Sequence, residues 1–161
     1  MARFVYEGNT NVYWLTTIAT TSTPRVNELT AGVNLTNFVA KDGVSVNINT
    51  NNVDSATIAQ IFDAQAVGSY GADLELTMFR DDTLDTAWNT CVYGTNGYLV
   101  IDRFSASGSS PLNGKKVEVW PAEMHQPSPE NSAANTVVRF MEKFAVTSTP
   151  NLSATITTAT T

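Results

Sequence analysis

The sequence predicts a mainly β domain: an antiparallel sandwich or partly closed barrel with one short α-helix around Asp82–Thr90, a long loop and a polar C-terminal tail. Three observations predict it. Seven or eight short runs carry strand patterning, some in strict alternation: Leu74, Leu76 and Met78 oppose Asp73, Glu75 and Thr77, and Val44, Val46 and Ile48 oppose Ser45, Asn47 and Asn49. A period of two marks strands with one face in a core and the other toward water. The runs are punctuated by glycine, proline and asparagine, the residues of turns. Charged residues make up only 15% of the chain, below the roughly 25% of ordinary soluble proteins, and threonine and asparagine fill the gap. With 161 residues and no internal repeat, the chain suits one domain, 1–161, with a single sizeable core.

In chain order, Phe4 to Glu7 and Val12 to Thr17 read as strands joined by Gly-Asn-Thr-Asn, whose glycine and asparagines tolerate the positive φ of a hairpin turn. A threonine-rich connector ends at Pro24. Arg25 to Leu29 suits one helical turn, with Thr23 as N-cap and Pro24 at the first helical position, closed by Gly32. Val33 to Ala40 reads as a strand, Asp42-Gly43 as a tight turn, and Val44 to Asn49 as the next strand.

The alternation then dissolves. Residues 50–68, TNNVDSATIAQIFDAQAVG, form a long connection that is not simply hydrophilic: Val53, Ile58, Ile61, Phe62, Ala64 and Val67 are in it. It admits two readings: a flap whose apolar residues fold back on the parent domain, or an arm whose apolar residues dock on another subunit. From Gly71 the pattern recovers as a strand. A helix follows, with Asp82 as N-cap and Asp85 completing a capping box. Leu84 and Trp88 sit four apart on one helical side as its anchors, flanked by Ala87 and Cys91. Tyr98 to Phe104 returns as a strand, and Ser105 to Gly114 is a surface loop by composition. Lys116 to Ala122 reads as a strand with Val117 and Val119 inward. Val137 to Thr147 fits a strand or a helix, and its β-branched and aromatic content favours a strand bulged at Glu142. Residues 148–161 form the threonine-rich tail, frayed or strapped across a neighbour.

No constellation predicts catalysis. Asp73 and Glu75 stand about 7 Å apart on one strand face and point the same way, which does not place a sugar between them. Asp81, Asp82 and Asp85 lack the spacing and distal glutamate of a calcium loop and suit helix capping better. His125 is the only histidine, so neither a zinc site nor a triad can use two, and Cys91 is the only cysteine, which excludes an internal disulfide. Trp14, Trp88 and Trp120 form no stripe for sugar stacking. A formal net charge of −6 argues against a nucleic-acid binder, which needs a basic face. No cofactor or metal is implied. No signal peptide is expected at MARFVYEG, and no apolar run approaches transmembrane length, so no membrane partner is expected.

The segment MFRDDTLDTAWNTCVYGTNGYLVIDRF resembles the major tail tube proteins of long-tailed bacteriophages, especially those infecting actinobacteria. GNTNVYWL, TPRVNELTAGVNLTNFV and KKVEVWPAEMHQPSP support it in order along the chain. The resemblance implies a non-enzymatic subunit of hexameric rings, stacked into a tube that conducts double-stranded DNA without binding it specifically. It implies further partners, such as a tape measure protein and a tail terminator, and a virion component assembled in the host cytoplasm. It also implies that Ser45, Asn47, Asn49, Asp73, Glu75 and Thr77 line the channel. Residues 50–68, through Val53, Ile58, Ile61 and Phe62, would dock on a neighbouring ring. Six copies at −6 each carry about −36, a field that repels phosphate, although Arg103, Arg139 and Lys143 depart from a purely acidic lining. The alternative is a β-sandwich binding module of a virion or cell surface that recognises carbohydrate or protein.

Overall fold

All five residues of Asn11–Leu15 are buried, and a strand buries both rows of side chains only where its sheet is covered on both faces. The computed structural model describes residues 3–158. In chain order the elements are β1 (Asn11–Leu15), α1 (Val26–Ala31), β2 (Val33–Asn34), β3 (Val39–Asp54), β4 (Gln65–Phe79), α2 (Thr86–Thr90), β5 (Asn96–Asp102), β6 (Lys116–Met124), β7 (Ser128–Pro129), β8 (Arg139–Val146) and β9 (Asn151–Thr155). The nine strands make one antiparallel sheet in the order β2-β1-β5-β6-β8-β4-β3, with β7 beside β8 and β9 beside β6. The mainly β expectation holds. The sheet is open rather than closed, and its central strands carry a core on each face.

On one face Val12, Trp14, Leu99, Ile101, Trp120 and Met124 of the central strands meet Leu74, Leu76, Met78, Phe140 and Phe144 from β4 and β8. On the other face Tyr13, Leu15, Val100, Val117 and Val119 are covered by Leu29 of α1 and by Ala154 and Ile156 near the C-terminus. The second cover corrects the reading of residues 148–161 as a tail that frays or crosses to a neighbour. Ala154 and Ile156 alternate with polar residues, and β9 pairs with β6 at Lys116↔Thr155 and Val117↔Ala154. Residues 159–161 lie outside the described residues.

Local chemistry shifts several boundaries. No strand forms over Phe4 to Glu7, which is exposed, and Phe4 instead packs edge-on against Phe104. Helix α1 is capped at Arg25 rather than Thr23: Glu28 Oε2 accepts the Arg25 N–H at 2.9 Å and its Oε1 accepts the Ala19 N–H at 2.8 Å. The strand expected over Val33 to Ala40 divides into β2 and the start of β3. Asp42-Gly43 is not a turn between strands but part of a bulge inside β3, where the register jumps from Val39↔Met78 to Val44↔Leu76. A side chain at Gly43 would run into the Thr77 carbonyl oxygen, so the bulge requires glycine.

Helix α2 begins at Thr86, not Asp82. Asp85 adopts a left-handed backbone at φ 48°, and its carboxylate caps nothing. It pairs with Arg80 and accepts the Asp81 N–H instead, and the Arg80 hydrogen bond holds its carboxyl below the usual range. Leu84 therefore lies outside the helix and is 72% exposed, so it is no anchor. Trp88 is partly buried against the core, edge-on to Phe140 at 5.0 Å and beneath Arg80, whose guanidinium carbon is 4.2 Å from the ring centroid. Ala87 and Cys91 are buried beside it.

Strand β8 carries no bulge at Glu142: its ladder with β4 runs without a shift from Asp73↔Ala145 to Phe79↔Arg139. Glu142 consequently shares the inward face with Phe140 and Phe144, is fully buried, and its carboxylate oxygens have no hydrogen-bond partner among the described residues. Burial pushes its pKa up to about 7, opposed in part by the main-chain N–H of His125 nearby. Burial first and Glu142 second push the Cys91 thiol up to about 12.

Two outcomes follow from this packing. Trp88→Ala should cost about 3 kcal/mol, the lower end for a tryptophan because the ring is only partly buried, and urea unfolding measures it. A cost below ~1 kcal/mol would mean that the indole does not hold α2 to the sheet. Glu142 has a folded pKa above its unfolded value, so its stability contribution is complete below pH ~4.3 and is lost as the pH rises to about 7. Glu142→Gln should therefore gain on the wild type by about 3 kcal/mol between pH 4 and pH 8. A stability difference independent of pH would show that the carboxylate is paired in the folded chain.

Candidate assembly surfaces

The β3–β4 ladder brings the sequence-predicted polar residues onto one face. Ser45 stands opposite Glu75, Asn47 opposite Asp73, and Asn49 opposite Gly71. Asn49 Nδ2 donates to Asp73 Oδ2 at 2.8 Å, and Asn47 Nδ2 donates to Asn49 Oδ1 at 3.2 Å. Thr77 shares this face, which cannot be core because Leu74, Leu76 and Met78 occupy the other.

The face continues across two further strands, beyond the residues identified from sequence. On β8, Lys143 stands opposite Glu75, Met141 opposite Thr77 and Ala145 opposite Asp73. On β6, Glu123 stands opposite Ala145. Three carboxylates thus flank one lysine, and the surface remains acidic. Of the other basic residues noted in the sequence, Arg139 pairs with Glu130 at 2.9 Å and Arg103 pairs with Glu118 at 2.9 Å. Only pairing across strands reveals Glu123, because nothing within β6 distinguishes it from any other outward residue.

Residues 50–68 are not a loop throughout. Both strands continue through most of the segment: Thr50 pairs with Tyr70, Asn52 with Val67, Val53 with Ala66 and Asp54 with Gln65. Only residues 55–64 connect them. Asn51 Nδ2 reaches Ser69 Oγ at 3.3 Å and Asn52 Nδ2 reaches Gln65 Oε1 at 3.1 Å, so side chains reinforce the ladder. Gly68 lies at the register shift, where a side chain would meet Asn51 O at 2.8 Å. At the tip, Asp54 Oδ1 accepts the Ala56 N–H and Gln60 Oε1 accepts the Thr57 N–H, each at 2.9 Å. The result is a β-hairpin arm. Ile58 and Ile61 are fully exposed and Phe62 is 82% exposed, while Val53, Val67 and Tyr70 are exposed along the stem. The flap reading fails, since these side chains do not fold back on the domain. Tyr70, just beyond the segment, is the exposed apolar residue that the sequence reading did not single out.

One edge of the sheet ends in β3, which among the described residues has no strand on its outer side over 16 residues. Among the described residues no three His, Cys, Asp or Glu side chains gather into a metal-holding group, and no helix is long and apolar enough to cross a membrane.

A free sheet edge, a two-faced sheet and an exposed apolar arm are features of a chain built to contact other chains. The family described as Phage tail tube protein matches residues 1–159, and the chain belongs to it. The fold agrees. A chain from the "Cryo-EM structure of the anti-feeding prophage (AFP) baseplate, 6-fold symmetrised" superimposes with a TM-score of 0.58 over 96% of this chain and 98% of that one, at 11% identity. No curated protein matches the sequence. The protein is accordingly a structural subunit of a phage tail, a virion component that works in an oligomeric assembly.

Proposed function

We propose that this chain is the tube subunit of a long-tailed phage, closing six to a ring, with rings stacked around a channel through which DNA passes. The observation that carries the reading is the hairpin arm, which holds three large apolar side chains in solvent where only another chain can cover them. Fully burying each is worth about 1.5–3 kcal/mol, a strong incentive to assemble. The number six draws on the shared fold with a chain of an assembly described as 6-fold symmetrised. Within a ring, the free edge of β3 is the natural place for a neighbour, since its main-chain groups lack strand partners on that side.

In this arrangement the face of Ser45, Asn47, Asn49, Asp73, Glu75 and Thr77 lines the channel, extended by Lys143 and Glu123. The carboxylates of this face repel DNA phosphates and keep the genome from adhering. No base-specific contact is involved. A tape measure protein inside the tube and a terminator at its end are the further partners, assembled in the host cytoplasm, with no membrane partner.

Ile61→Asp with Phe62→Asp should leave a folded, soluble subunit that forms no tubes, because these exposed side chains belong to neither core of their own domain. Circular dichroism and negative-stain imaging check the two halves. An equal loss of fold and tubes would place the residues in the core, and wild-type protein that stays dispersed would contradict the tube itself. Asp73→Lys with Glu75→Lys shifts each subunit by about +4 and a six-membered ring by about +24. It sets a lysine opposite Lys143 at a cost of about 1 kcal/mol, which the fold tolerates. With a Debye length of about 8 Å at physiological salt, tails carrying it should assemble yet eject DNA slowly, most clearly at low salt. Unchanged ejection at low salt would put these carboxylates outside the channel.

A further inference from the structure

We infer that the groove at the root of the arm receives the arm tip of another copy of this chain, an inference that rests on the tube reading and names its receiving surface. Where the β3–β4 ladder leaves the core, Ile48, Tyr70 and Ala72 on its core-side face meet Val146 and Pro150 around a groove of about 490 Å³. No charged residue lines it. The core has run out there: Val46 and Leu74 are still packed, whereas Ile48 and Tyr70, next along the same face, are exposed.

The arm tip is the matching knob. Residues 55–62, SATIAQIF, carry no charge between Asp54 and Asp63, and Ile58, Ile61 and Phe62 project from them. Copies bearing −6 each repel one another, so the uncharged stretch of the tip on an uncharged groove is where they touch at least cost. The tip cannot fill its own groove, because the paired stem from Ile48 to Asp54 holds it about 20 Å away. The contact is therefore head to tail, between copies displaced by roughly the arm's length, and it repeats without closing on itself. Three such side chains bury on the order of 500 Å², short of the ~800 Å² per partner of a stable pair. Two free subunits would not hold one another, while a ring presenting all its tips together would hold the next through multivalency.

Two other grooves bear on the choice. The one beside Tyr6 brings Glu7 and Lys41 to its rim. The one beside Val26, Asn27, Thr30 and Ala31 is also apolar and is the competing receiver.

Disulfide trapping in assembled tubes tests the inference. Phe62→Cys with Ser148→Cys, on the groove wall, should give a ladder of linked subunits on mild oxidation, and neither single variant should. Buried Cys91, its thiol raised to about 12, stays silent. A ladder from Phe62→Cys with Thr30→Cys, or none from the Ser148 pair in tubes of wild-type repeat, overturns the groove while leaving the tube intact. Wild-type chains that form no tubes overturn the tube reading itself. Should the double variant not assemble, a benzophenone on Phe62→Cys, diluted into wild-type tubes, serves in its place. Adducts on residues 146–150 are expected, and adducts on residues 26–31 overturn the assignment.

Discussion

The antiparallel ladder between β3 and β4 is the constraint on which the other features depend. It is longer than the core it serves. Over Val44–Val46 and Leu74–Leu76 it has a buried row and a solvent row. Beyond Ile48 and Ala72 the core stops but the hydrogen bonds continue, out to Asp54↔Gln65. One pairing register therefore sets the polar face, the uncharged groove and the reach of the arm. A one-residue slip would exchange the faces and put Asp73 and Glu75 into the core. Glycines at positions 43 and 68 absorb the two register shifts without breaking the ladder.

The rest of the sheet supplies an anchor stiff enough to carry such a projection. Strands β1, β5 and β6 are covered on both faces, by β4 and β8 on one side and by α1 and the C-terminal segment on the other. Burial of apolar surface on both sides makes this the stable part of the molecule, and the arm, with few packed contacts, the labile part. Glu142 stands apart from that logic. It puts a carboxylate with no hydrogen-bond partner among the described residues between two phenylalanines, on the strand that also carries Lys143 toward the acidic face.

Much of this was legible in the sequence where one face of a strand is buried and the other wet. Leu74, Leu76 and Met78 alternate with polar residues, and the same rule placed Val117 and Val119 in the core and Val44 and Val46, partly buried, against it. Legibility failed where that contrast vanishes. The stem of the arm is wet on both faces, so TNNVD shows no alternation and looks like a loop, although its apolar tip still marked it as unusual. The C-terminal segment looks like a polar tail because it buries only Ala154 and Ile156, two small signals among threonines. Asp42-Gly43 and Asp82 carry turn and cap chemistry that tertiary contacts overrode, the first with a bulge and the second with the Arg80–Asp85 pair. Leu84 fell with the shifted helix start. Glu142 suggested a bulge because a carboxylate on an inward position is rare. Its burial is set by the unbroken pairing of β8 with β4.

Helical reconstruction of tubes assembled from the wild-type chain tests the central claim most directly, because it shows at once where each face of the β3–β4 ladder points. Asp73 and Glu75 are expected on the channel wall, with the arm crossing to the adjacent ring and residues 58–62 covered there. A map with those carboxylates on the outer surface, or with the arm folded against its own subunit, would contradict it.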